Sequence, residues 1–236
     1  MTDLIPAPPQ PRVPVRGGGT FPVRRIYCVG RNFADHAREM GASVPASKAE
    51  RGQPVFFLKP ADAIVVDGAD VPYPPGTRDL HHEVELVVAL GLDAPAGELA
   101  ASDAEALVFA YGVGLDLTRR DLQGAAKARG LPWDTGKGFD HSAPLSELVP
   151  AALVTGLGSR SLALRVNGET RQQGSLQDLI WDVPEILHEL SKLFALKAGD
   201  LVFMGTPAGV GPLLPGDDFI ATLEGVAELR GRITAA

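Results

Sequence analysis

Apolar and polar positions follow two regimes along the chain. From Val23 onward, short apolar runs rich in β-branched and aromatic residues recur: VRRIYCVG, PVFFLK, AIVV, HEVELVVAL, LVFAYGVGLDL, LALRVNG, DLVFMG and DFIATLEGVAELRGRI. Turn residues bound them at short intervals, which predicts buried strands. Two stretches carry helical spacing instead, 119–129 (RRDLQGAAKAR) and 183–194 (VPEILHELSKLF). In the second, Ile186, Leu187, Leu190, Leu193 and Phe194 share one face. RNFADHAREMG predicts a short helix stopped by Gly41, and the polar, small residues of 42–53 predict a mobile loop. The expected fold class is α+β, dominated by strands, with a few short helices.

Before Val23 the punctuation differs. Five prolines between Pro6 and Pro14, followed by Gly17, Gly18 and Gly19, exclude a helix or a central strand. Residues 1–20 are therefore expected to form an extended arm that wraps the surface or hangs loose. With no break in composition and no fixed-period repeat, 21–236 is expected to be a single domain.

Composition removes several partners. The 236 residues hold 22 Lys plus Arg against 29 Asp plus Glu, a net charge of −7. Without basic clusters, neither nucleic acid nor an anionic membrane is an expected partner. No apolar run approaches the roughly 20 residues that span a bilayer, and the N-terminus lacks a signal-type apolar region. A soluble, cytoplasmic protein is expected. The single cysteine, Cys28, excludes an internal disulfide framework and a cysteine-based zinc site, and its place in an apolar strand makes it a core residue.

The motif inventory excludes more than it admits. There is no G-x-S-x-G elbow, H-E-x-x-H pair, Walker loop or complete G-x-G-x-x-G fingerprint. Glu83 and Glu85, two apart in HHEVEL, project from one face of a strand. They form either a wet polar edge or the oxygen ligands of a hard divalent ion. Asp116 ends a long apolar run, where an ionised carboxylate needs a cation, donors or a helix N-terminus to cap. His36 and Glu39, three apart, are neighbours on a helix and suit either an exposed salt-bridged face or a water-activating base. Lys137, between two glycines, is a solvent-facing turn lysine or an ammonium for a developing oxyanion. The loop GTPAGVG at 205–211 is a tight turn or a backbone nest for a carboxylate, with Thr206 adding a hydroxyl.

Taken together, VGRNFADHAREM, FFLKPADA, HHEVEL, GLDLTRRDLQ, GLPW followed by GKGFD, and GTPAGVG resemble, in that order, the fumarylacetoacetate hydrolase family, most closely its short acylpyruvase branch. The resemblance runs from about Val23 to the C-terminus. It implies a mixed β-roll, a homodimer, and Mg²⁺ or Mn²⁺ held by Glu83, Glu85 and Asp116. It makes His36 and Glu39 a dyad on a lid helix, with Lys137 as a further catalytic group. Arg120, Gln123, Gly205 and Thr206 would contact a small 2-oxo acid substrate. Phe33 and Gly138 depart from the family pattern, which has Tyr and Ser there in many members.

The implied reaction is hydrolysis of the C3–C4 bond of an acylpyruvate, with fumarylpyruvate giving fumarate and pyruvate in aromatic-compound catabolism. Oxaloacetate decarboxylation on the same metal is the alternative, since it needs no water-activating dyad. A binding or assembly protein on the same scaffold is a third class.

Overall fold

The computed structural model describes residues 4–39, 41 and 47–235. Its centre is an eight-stranded mixed sheet. In spatial order the strands Val55–Lys59, Arg25–Gly30, Asp200–Phe203, Val84–Leu90, Val108–Leu115, Ala143–Leu145 and Ile64–Val66 run side by side, and Val149–Pro150 adds to Val108–Leu115. Two of the pairings are parallel, Asp200–Phe203 on Arg25–Gly30 and Ala143–Leu145 on Ile64–Val66. Every residue of Val84–Leu90 is buried, because both faces of the sheet are covered.

One face packs Tyr27, Leu86, Val88 and Val113 against Leu164, Phe219 and Leu229 of a second, five-stranded sheet. The other face packs Ile26, Cys28, Val87 and Phe203 with Val13 and Phe21. Those last two belong to a hairpin, Arg12–Pro14 paired with Thr20–Pro22, whose Pro14 carbonyl accepts from the Leu148 amide. Residues 12–22 thus lie on the sheet, and Val13 is fully buried. Gly114 is required inside its strand, since a Cβ there would stand 2.8 Å from the Phe203 ring.

All eight apolar runs contain strands where expected. The polar strand Glu169–Ser175, an edge partner of Ser161–Val166, has no apolar alternation to reveal it. Four helices complete the described chain: α1 (Ala34–Glu39), α2 (Arg120–Ala128), α3 (Asp134–Lys137) and α4 (Val183–Ser191). Helix α4 buries Ile186, Leu187 and Leu190 as the spacing predicts, but it ends at Ser191 and leaves Leu193 exposed. Asp182 and Glu185 form a reciprocal capping box at its start, which explains that end.

The loop expected over 42–53 falls partly outside the described residues. Its second half, 47–53, is tied down rather than free. Arg51 donates to both oxygens of Glu185 and to the Ile180 carbonyl, and its guanidinium lies 3.9 Å from the centre of the Trp181 ring. Polar composition suggested mobility, yet these same polar groups find fixed partners on α4.

Three short strands set the functional geometry. Leu80–His82 pairs on one side with Thr118–Arg119 and on the other with Gly211–Pro212. Glu83 follows the first, α2 follows the second, and the third ends the 205–211 loop. Segments remote in sequence therefore converge beside one end of the large sheet.

Glu185 has a pKa lowered to about 2; burial opposes the shift, and bonds from Arg51, Lys48 and the Asp182 amide overcome it. A lowered carboxyl pKa contributes stability above the ordinary value of 4.5, and loses it as pH falls towards 2. Glu185→Ala is expected to cost about 1–2 kcal/mol in urea unfolding at pH 7, and the deficit should shrink below pH 4.5.

Candidate metal centre and active site

Glu83 and Glu85 sit at the start of the fully buried strand Val84–Leu90, with 5% and 1% exposure. Neither forms a wet edge. Asp116 is fully buried, and it is no helix cap, because α2 begins at Arg120 with no side-chain cap. The Asp116 amide donates to the Glu83 carbonyl at 2.8 Å, so adjacent strand ends bring the carboxylates together. One oxygen from each of the three lies within 4.8 Å of the others.

Three cations compensate them. Lys137 donates to Glu83 Oε2 at 2.8 Å and to Asp116 Oδ2 at 2.5 Å. Arg120 donates to Glu83 Oε1 at 2.5 Å and to Gln123 Oε1 at 2.7 Å. Lys59, fully buried, stands 2.9 Å from Asp116 Oδ1 but aims its protons at the Leu117 and Lys137 carbonyls. Asp116 Oδ1 consequently accepts no hydrogen bond although it is buried.

The electrostatics separate the carboxylates. Lys137 and Arg120 outweigh burial at Glu83 and hold its carboxyl well below the usual range. At Glu85, burial first and then the charges of Asp116 and Glu83 push the pKa well up, against a 2.8 Å hydrogen bond from the Gly205 amide. A divalent ion fits this arrangement. All donors are carboxylate oxygens, which suit Mg²⁺ or Mn²⁺. The orphaned Asp116 oxygen supplies a free lone pair, and a cation would relieve the repulsion felt at Glu85.

His36 is 6% exposed, not part of an open helix face. Its Nδ1 lies 3.2 Å from Glu39 Oε2, while burial lowers its pKa, so the imidazole is neutral near pH 7. Glu39 accepts from the Gly209 amide at 3.1 Å. The loop 205–211 thus does act as a carboxylate nest, but for the protein's own carboxylates, Glu85 and Glu39. Gly205 has φ +94°, and a Cβ there would meet Asn32 at 2.8 Å. Thr206 is held by Gln172, whose Nε2 donates to its hydroxyl at 2.7 Å while Oε1 accepts from the Val84 amide at 3.1 Å.

His36, Glu83, Glu85, Asp116, Arg120, Gln123, Lys137 and Thr206 all line one cavity. Glu39 stands behind His36, and Gly205 behind Glu85. Of Arg24, Arg25, Arg31 and Lys59, which lie in or beside the first two apolar runs, Arg24 pairs with Asp200, Lys59 faces Asp116, and only Arg31 lines the cavity. Sequence reasoning missed Lys127, Phe57 and Trp133, which also line it, together with Lys59 and Gln172 as supports. GLPW and FFLK are visible as motifs, yet only the fold shows what they face. Phe33 is packed in the core, and a Cβ at Gly138 would lie 3.3 Å from the Asp134 carbonyl.

Residues 25–234 match the family described as fumarylacetoacetate (FAA) hydrolase C-terminal. The chain belongs to the fumarylacetoacetate hydrolase family. Its fold matches that of the fumarylpyruvate hydrolase from Pseudomonas aeruginosa, solved in complex with Mn²⁺ and pyruvate. The two are 43% identical with a TM-score of 0.92, each covered over 100% of its length. The Ralstonia fumarylpyruvate hydrolase is 43% identical over 75% of this chain and 91% of its own. The Escherichia coli oxaloacetate tautomerase YcgM is also 43% identical, over 87% of this chain and 90% of its own. The strand-dominated α+β fold is therefore the family's. Among the described residues no helix is long and apolar enough to cross a membrane.

Because the Glu85 pKa is raised, the folded protein keeps a proton that the unfolded chain releases, and metal-free stability should fall as pH rises above 4.5. Glu85→Gln should flatten that fall. Mn²⁺ at a hundredfold excess over its Kd should stabilise the wild type by about 2.7 kcal/mol and leave Glu85→Gln nearly unmoved. Calorimetric melts across pH, with and without Mn²⁺, measure both, and equal stabilisation of the variant would remove Glu85 from the ligand set.

Proposed function

We propose that the protein hydrolyses an acylpyruvate, fumarylpyruvate, to fumarate and pyruvate, using a divalent metal held by Glu83, Glu85 and Asp116. The observation that carries this reading is the buried, neutral His36 backed by Glu39, opening on the same cavity as the acidic triad. A triad alone serves any enolate chemistry; a base beside it serves attack by water. Likeness to fumarylpyruvate hydrolases from two bacteria supports the substrate.

Bound Mg²⁺ or Mn²⁺ supplies Lewis-acid polarisation of the 2-oxo acid end. Arg120 and Gln123, joined by their own hydrogen bond, orient the substrate's carboxylate end. His36 takes a proton from water, and Glu39 holds the imidazole tautomer that presents the other ring nitrogen. The water oxygen bonds to C4 and the C3–C4 bond breaks, its electron pair passing to C3 as pyruvate enolate. His36 returns the proton to C3. Lys137 spends two N–H groups on Glu83 and Asp116, and its third is available to the enolate oxygen. Thr206, fixed by Gln172, borders the same space. The reading includes a homodimer in the cytoplasm, which light scattering and fractionation check.

A second reading has its own support. The likeness to YcgM favours oxaloacetate tautomerisation, in which a proton moves between C3 and the enol oxygen and no water attacks. Decarboxylation of oxaloacetate would likewise bypass the dyad.

His36→Ala should lower kcat for fumarylpyruvate at least about 100-fold, measured as pyruvate release with Mg²⁺ or Mn²⁺. Oxaloacetate decarboxylation should survive at least in part. Fumarylpyruvate turnover within threefold of wild type would remove the dyad from the reaction.

A further inference from the structure

The cavity has a second positively charged end. Lys137 Nζ lies 4.9 Å from the centre of the Phe57 ring, Phe57 packs on Trp133 with centroids 5.9 Å apart, and Lys127 Nζ lies 4.9 Å from the centre of the Trp133 ring. Two ammonium groups thus flank one aromatic wall. The inner one is paired with Glu83 and Asp116. The outer one differs: among the described residues Lys127 makes neither a hydrogen bond nor an ion pair. Arg31 lines the same cavity and likewise has no acidic partner among the described residues.

Two further features set these cations apart from ordinary surface charges. Arg31 has φ +60°, a left-handed conformation that costs a non-glycine residue about 1 kcal/mol or more and is found preferentially at functional sites. Lys127 is half-buried, and its pKa is lowered to about 8, first by burial and then by repulsion from Arg120, Lys137 and Arg31, against the attraction of Glu83. Unpaired cations that repel one another around a cavity lack an anion. The Trp133 ring lies against the backbone at Gly30, just before Arg31, at ordinary contact distance.

We propose that Lys127 and Arg31 form a carboxylate subsite at the outer end of the cavity, with Phe57 and Trp133, their rings tilted 54° to each other, as an aromatic wall between it and the acidic triad. The ligand it selects is a 2-oxo acid whose acyl chain ends in a second carboxylate. A monocarboxylic acylpyruvate leaves the outer cations without a partner. The subsite rests on the reading that the triad end takes the 2-oxo acid group, and it adds which acyl group is chosen.

The test is a substrate pair read in Lys127→Met, with Lys127→Arg as the charge-preserving control and Arg31→Asn to remove the second cation while tolerating the left-handed backbone. For the Mn²⁺-loaded protein, KM for fumarylpyruvate should rise about 10- to 100-fold in Lys127→Met, the loss of one charge-assisted hydrogen bond. Acetylpyruvate kcat/KM should change less than twofold, and Lys127→Arg should restore most of the fumarylpyruvate KM. Equal losses on both substrates, or no loss on either, would overturn the subsite while leaving the hydrolase reading intact. If the wild type cleaves neither substrate, the hydrolase reading fails, and the subsite is then judged by calorimetric binding of fumarate against crotonate. Fumarate preferred by the wild type and not by Lys127→Met supports it; equal binding overturns it.

Discussion

Three buried acidic groups, two of them paired with three cations, organise this protein. Glu83, Glu85 and Asp116 would each cost several kcal/mol alone in the interior, and Lys137, Lys59 and Arg120 make their burial tolerable. Each of those cations comes from a different place: the end of α3, an edge strand and the start of α2. The fold must therefore bring four chain segments to one point before the charges balance. The three short strands around Leu80–His82 do so. In the compensated state Asp116 Oδ1 still accepts no hydrogen bond, and that free lone pair would suit a divalent ion.

The large sheet was legible because its strands are buried on both faces and so read as continuous apolar runs. Helix α4 was legible because its capping box and apolar stripe agree. The polar edge strand Glu169–Ser175 was not, although it carries Gln172, the residue that fixes Thr206. Its side chains face water or polar partners, so no period-two signal marks it. The arm's prolines excluded a central strand, which left Arg12–Pro14 free to form a short hairpin that still buries Val13.

The candidate site was legible in its acidic and dyad positions through the motifs that carry the family resemblance, since each spacing alone also suits an ordinary polar edge or helix face. Its supports were not. Lys59 in a strand and Lys127 on an amphipathic helix look like solvated charges until the fold shows what each faces. Glycines misled in the other direction. Gly136 beside Lys137 suggested room for a flexible lysine, whereas a Cβ there would press on Gln123 at 3.0 Å. It keeps α3 close to α2 and so fixes the ammonium on the triad.

The 205–211 loop gives its Gly205 amide to Glu85 and its Gly209 amide to Glu39. The three residues between them thus act as a spacer between Glu85 of the triad and the carboxylate that faces His36. Length in this loop is constrained as tightly as composition. An inserted residue would preserve every side chain of the site and still move the imidazole relative to the triad.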